Sequence, residues 1–224
     1  SRDGRDAVPN DHESISLVIE SIPENLPMKQ ALFAELGTVM PRDTVLASNT
    51  SNLRISDVFA SMTNDERCCG LHFFMPVGER PLVEFIRAGG TSAITQTRCE
   101  RLARQIGKAT LVVKDSPGFV VNRLLVPYLN QAFLLLERGV SATQLADAAA
   151  RFGMPLSPLA LVDAIGIRTA FDSGRIFWQS FPERLDPAPI LPGMIKAGRL
   201  GRSFGGGFFG ASNGSKSLAD VDDL

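Results

Sequence analysis

Short apolar runs alternate with stretches of helical spacing from Ile15 to Val113, and after Asp115 the alternation stops. This pattern constrains the fold most, because short apolar strands interleaved with helices build a sheet covered by helices. Ile15–Ile22 is strand-like, and residues 27–40 carry Leu32, Phe33, Leu36 and Val39 at helical spacing. Thr44–Ser48 is strand-like again, and residues 54–62 suit a short helix. Strands suit Leu71–Phe74 and Leu82–Ile86, joined by a turn containing Pro and Gly. An amphipathic helix over 93–106 stops at Gly107, and Leu111–Val113 ends the series. About five strands are expected, in parallel α/β architecture.

The rest reads as helical. Residues 118–138 are apolar on nearly every side, and Pro127 inside them predicts a kink or break. Ser141 with Gln144 makes a capping-box pattern for a helix ending at Gly153. Residues 158–180 and 188–198 offer two more helices. The boundary between the halves is expected near Ser116-Pro117-Gly118, and the polar stretch after Ala211 reads as a tail or linker.

Composition narrows the function classes. Lys and Arg number 23 against 24 Asp and Glu, a net charge of −1, so the basic excess of a general nucleic-acid or anionic-membrane binder is missing. No apolar run approaches the roughly 20 residues of a membrane span. Cys68, Cys69 and Cys99 are odd in number and lack metal-ligand spacing, which favours a reducing, cytoplasmic setting without disulfides. The polar leader Ser1–His12 resembles neither a signal peptide nor a transit peptide.

Of the two histidines, His12 sits in that leader and reads as solvated. His72 ends the apolar run Gly70-Leu71-His72-Phe73-Phe74, and Glu84 lies inside the next, Leu82-Val83-Glu84-Phe85. A carboxylate in such a run needs a partner, because burying a lone charge is costly. A strand–turn–strand connection can bring Glu84 beside His72 as a general base and its orienter. Taken singly, each also reads as structural. Asn122 follows Asp115-Ser116-Pro117-Gly118-Phe119 within the first turn or so of a helix, where it either faces a site or satisfies helix-end donors. The polar corner Ser48-Asn49-Thr50-Ser51 follows a strand directly, where open sheets bind ligands and where turns need the same residues. Glu24 and Lys29 bracket a helix start. Gly205–Gly210 satisfies G-x-G-x-x-G, but it follows a helical region and no βαβ unit follows it, so it is not a dinucleotide fingerprint.

The segments IESIPENLPMK, VLASNTSNL, GLHFFMPV, PLVEFI, KDSPGFVVNRLLVPYLNQA and GRSFGGGFFG, in this order, resemble the L-3-hydroxyacyl-CoA dehydrogenase family, especially the dehydrogenase portion of fatty-acid β-oxidation proteins. The resemblance runs from about Ser14 to Phe209. It implies an α/β fold, an incomplete Rossmann-type sheet followed by an all-helical C-terminal domain. The expected domains are 1–116 for NAD, 117–211 helical, and 212–224 as tail. It implies oxidation of L-3-hydroxyacyl-CoA to 3-ketoacyl-CoA, with NAD as cofactor and an acyl-CoA substrate. His72 would be the general base and Glu84 its partner, with Ser51 and Asn122 on the reacting oxygen. Glu24, Lys29 and Asn49 would lie along the nicotinamide half of NAD. The family's helical domains associate, so a homodimer is expected. The chain departs from the family in three ways. The family's first strand and its G-x-G-x-x-G are not found, which reads as a fragment and points to weak NAD binding. Met75 stands where the family usually has Asn. Ser203 takes the place of a basic residue, beside Arg202. A non-catalytic assembly module and a dehydrogenase of another hydroxyacid are the alternative readings.

Overall fold

The structure, a computed structural model, describes residues 14–210. His12 and the tail 212–224 lie outside the described residues. The chain divides into two compact units, and the break falls between Phe119 and Val120.

The first unit is one five-stranded sheet in the order β1 (Leu17–Glu20), β2 (Val45–Ser48), β3 (Cys68–Phe73), β4 (Leu82–Arg87), β5 (Ala109–Lys114). β1, β2 and β3 pair in parallel, and β4 and β5 do too. The expected parallel architecture holds at three of the four pairs, and β3 and β4 run antiparallel. The cause is the connection. Only eight residues, 74–81, separate these strands, too few for the crossover of a dozen or more that a parallel pair needs.

Alternation along the strands sends side chains to two faces, and both faces are covered. On one, Leu46, Cys68, Ile86 and Val113 pack with Phe33 and Leu36 of α1 (Leu26–Val39) and with Ile55 and Val58 of α2 (Ile55–Val58). On the other, Val45, Ala47, Cys69, Leu71, Val83 and Phe85 meet Cys99 and Ala103 of α3 (Ala93–Gln105). Local chemistry starts the longer helices: the side chain of Asn25 accepts from Met28 N at α1, and that of Ser92 accepts from Thr95 N at α3.

The second unit has α4 (Val121–Glu137), α5 (Ala142–Phe152), α6 (Pro158–Ile165), α7 (Ile167–Ser180) and α8 (Ile190–Lys196), with no strand among its described residues. α4 runs unbroken through Pro127. The ring removes one N–H donor, and the buried Val126, Leu129 and Phe133 hold the helix on both sides of it. The helix expected over 158–180 is two helices. Gly166, at φ 98°, divides them with a backbone conformation that a side chain would resist. The capping box of Ser141 and Gln144 is present at α5. Leu129, Phe133, Leu159, Val162, Ile167, Met194 and Phe208 form the core, with the rings of Phe133 and Phe208 stacked at 5.6 Å.

The Gly-rich segment of 205–210 is a turn clipped onto α6. The Asp163 carboxylate accepts from Phe208 N at 2.7 Å and Phe209 N at 2.9 Å. A Cβ on Gly207 would overlap that carboxylate, which explains a glycine there without any dinucleotide. Asp163→Ala leaves two backbone donors without their acceptor. We expect a loss of about 2–4 kcal/mol in urea denaturation.

Candidate active site

Glu84 and His72 are register partners across the antiparallel pair β3–β4. Directly opposed residues project to the same face, so the side chains meet. Nδ1 of His72 lies 2.7 Å from Oε2 of Glu84. His72 is 4% exposed and Glu84 is fully buried. The carboxylate engages Nδ1, and the second nitrogen, Nε2, is left for chemistry. Two phenyl rings flank the imidazole, Phe74 at 4.6 Å and Phe119 at 5.7 Å between centroids.

His72 is the fifth of six residues in β3, close to its carboxyl end. The parallel neighbours β1 and β2 end on the same side of the sheet, and the polar corner Ser48–Asn52 follows β2 there. Asn49 ties three strand ends together: its Nδ2 donates to Ser21 Oγ after β1, and its Oδ1 accepts from Phe73 N of β3. The Glu24 carboxylate accepts from Thr50 Oγ1 and from the backbone N–H of Ser51 and Asn52. Ser51 is thereby held in the bend after β2, half-buried.

Lys29, near the start of α1, is turned inward. It is 1% exposed, with its Nζ 2.6 Å from Glu20 Oε1, 3.0 Å from Ile22 O and 3.6 Å from Glu24 Oε2. Glu20 also accepts from Ser48 Oγ at 2.6 Å and Ile22 N at 2.6 Å. The pair is a buried ionic hub beneath the ends of β1 and β2. Asn122 belongs to the second unit, in the first turn of α4, and is half-buried.

Three residues here were missed in the sequence. Glu20 closes an apolar run, the same signal that singled out Glu84. Asp115 accepts with both oxygens from Ile55 N and Ser56 N at the start of α2. Its partners lie some sixty positions away, so nothing local marked it. Phe119 carried no polar signal at all.

Cys68 and Cys69 are poor nucleophiles. Burial pushes the Cys68 thiol up to about 12, against the pull of Arg67. The Cys69 thiol is raised well above its usual range by its hydrogen bond to Cys99, by burial and by the other thiols. The reactive form is the thiolate, which these environments suppress.

Residues 6–116 match the family model for the 3-hydroxyacyl-CoA dehydrogenase NAD-binding domain, and residues 118–210 match the model for the C-terminal domain of the same enzymes. The chain belongs to the 3-hydroxyacyl-CoA dehydrogenase family. Among solved structures, FadB2 of M. tuberculosis is 39% identical with a TM-score of 0.84, covering 88% of this chain and 71% of that one. The (S)-3-hydroxybutyryl-CoA dehydrogenase PaaH1 of Ralstonia eutropha is 36% identical at 0.83, with the same coverage. The 3-hydroxybutyryl-CoA dehydrogenase of Escherichia coli is 34% identical at 0.83, covering 94% of this chain and 46% of that one.

NAD is the cofactor of this family. The polar strand ends fit one part of it. The amide of Asn49 and the hydroxyls of Ser51 and Ser21 suit a hydrogen-bonding carboxamide and a sugar better than a multiply charged anion. Among the described residues no glycine-rich strand-to-helix turn offers backbone N–H groups to a pyrophosphate.

The hub yields a prediction. Glu20→Ala strands the buried Lys29 ammonium beside the more distant Glu24. We expect a stability loss of about 3–5 kcal/mol by chemical denaturation. Substituting Lys29 by Met in the same background is expected to restore part of it.

Proposed function

We propose that the chain catalyses oxidation of L-3-hydroxyacyl-CoA to 3-ketoacyl-CoA, as a step of fatty-acid β-oxidation. The observation that carries this reading is the buried His72–Glu84 pair, set in register at the carboxyl end of β3 in a chain of this family. When bound, NAD accepts the hydride leaving C3 of the substrate. His72 takes the proton of the 3-hydroxyl on Nε2. Glu84, already on Nδ1, then faces a positive imidazolium and stabilises it as it forms. Ser51 donates a hydrogen bond to the reacting oxygen, holding it toward the imidazole. Glu24 orders the bend carrying Ser51 through its three hydrogen bonds. Asn49 lines the nicotinamide end. Lys29 acts at a remove, by keeping Glu20 and Glu24 in place. Met75 is largely exposed and offers a ligand soft apolar surface where the family usually has an amide. Three buried free cysteines suit a reducing compartment, and we assign the protein to the cytoplasm.

His72→Ala and Glu84→Ala in the full protein are each expected to lower kcat by at least roughly 100-fold on a 3-hydroxyacyl-CoA. Near-normal kcat in either variant would remove the assignment.

We also propose a homodimer built on the second unit. Phe152 is 82% exposed and Leu124 72%, and Phe204 and Trp178 also present large apolar surface. Large exposed apolar side chains of this kind suit an interaction surface. Light scattering at micromolar concentration is expected to give twice 24.2 kDa. A mass of 24.2 kDa that does not change with concentration would contradict the dimer.

A further inference from the structure

A single hydrogen bond from Nδ1 to Glu84 holds one edge of the His72 ring but tolerates some swing about the Cβ–Cγ bond. The tilt of the ring decides where Nε2 points, so something else must set it. The two rings packed against His72 are the candidates. Phe74 lies two residues along the same chain and comes with β3. Phe119 comes from a separate segment, the turn between β5 and α4, and only a specific backbone path brings it there.

That path is unusual. Phe119 has φ 48°, the one positive value of a non-glycine among the described residues. Bulky residues avoid this region because Cβ crowds the backbone. Gly118 before it is also left-handed, at φ 71°. Phe119 is nevertheless 2% exposed, with its ring in the core formed by α1, α2 and the sheet. The turn is held at three points. Asp115 grips the N–H groups of Ile55 and Ser56, Gly118 N donates to Asn52 O, and Phe119 N donates to Ser116 O. One of these anchors, Asn52, immediately follows Ser51. Backbone strain in one surrounding-enforced residue commonly marks a functional position.

We propose that Phe119 is a positioning residue: its left-handed backbone aims the phenyl ring at the face of His72 and sets the tilt that points Nε2 at the substrate. The inference rests on His72 being the base, and its tests separate the two claims. The chain has only two histidines, so substituting His12 assigns the imidazole signals of His72 in an NMR spectrum without any cofactor. The wild-type 224-residue chain is expected to show a sharp, downfield, slowly exchanging Nδ1–H for His72. Phe119→Leu keeps an apolar side chain but removes the flat ring, and it is expected to broaden or lose that signal while circular dichroism and Tm show a folded chain. Phe119→Tyr restores a ring and is expected to keep the signal. In the full protein, Phe119→Leu should lower kcat roughly 10–100-fold with little change in KM, and Phe119→Tyr should recover most of it. A folded Phe119→Leu variant with an unchanged His72 signal and unchanged kcat would overturn the proposal. If Phe119→Leu does not fold, Phe119→Met serves the same comparison. If His72→Ala leaves kcat intact, the base assignment fails, and the imidazole spectra still decide whether Phe119 orients the ring.

Discussion

The site depends on one reversal of strand direction. With β3 and β4 antiparallel, residues in register exchange places across a short turn, and His72 falls opposite Glu84 without any long-range adjustment. A parallel β4 would need a crossover and would bring its own carboxyl end to this side of the sheet. Instead its first half lies beside the carboxyl end of β3, where open sheets present ligand-binding loops. The carboxylate is buried and would be costly to leave unpaired, so folding and site assembly are the same event for this pair.

Around that pair the polar groups are largely committed to one another. Asn49 bridges the ends of β1 and β3, Glu24 gathers the N–H groups of the 50–52 bend, and Glu20 with Lys29 locks the base of both. Such a network contributes rigidity more than net stability, since the attraction between buried charges is offset by the cost of desolvating them. Its use is preorganisation: the groups that meet substrate or cofactor do not have to be ordered on binding. Asp163 does the same service in the second unit, where it fixes a loop of glycines onto α6.

Much of the fold was legible. Strands and helices of the first half followed from apolar periodicity, and caps such as Ser141 with Gln144 marked a start correctly. Alternation gives strand existence and not strand direction; at β4 the eight-residue connection carried the direction. Helices split at Gly166 because one left-handed residue ends a pattern that hydrophobic spacing alone continues. The His72–Glu84 contact was legible because both are polar residues inside apolar runs on adjoining strands. The burial of Lys29 was not legible, because its partner Glu20, nine residues earlier, lies in a different element. Asp115 and Phe119 were illegible: the first acts on partners distant in sequence, and the second through a backbone angle that no residue type announces.

The central claim is that His72 and Glu84 act as one unit in proton transfer. A double-mutant cycle on kcat/KM for a 3-hydroxyacyl-CoA, measured in the full protein with His72→Ala, Glu84→Ala and the double variant, tests it most directly. Residues acting as a unit are non-additive, so Glu84→Ala should cause little further loss once His72 is gone. Fully additive losses, with the double variant slower by the product of the two single effects, would contradict the account.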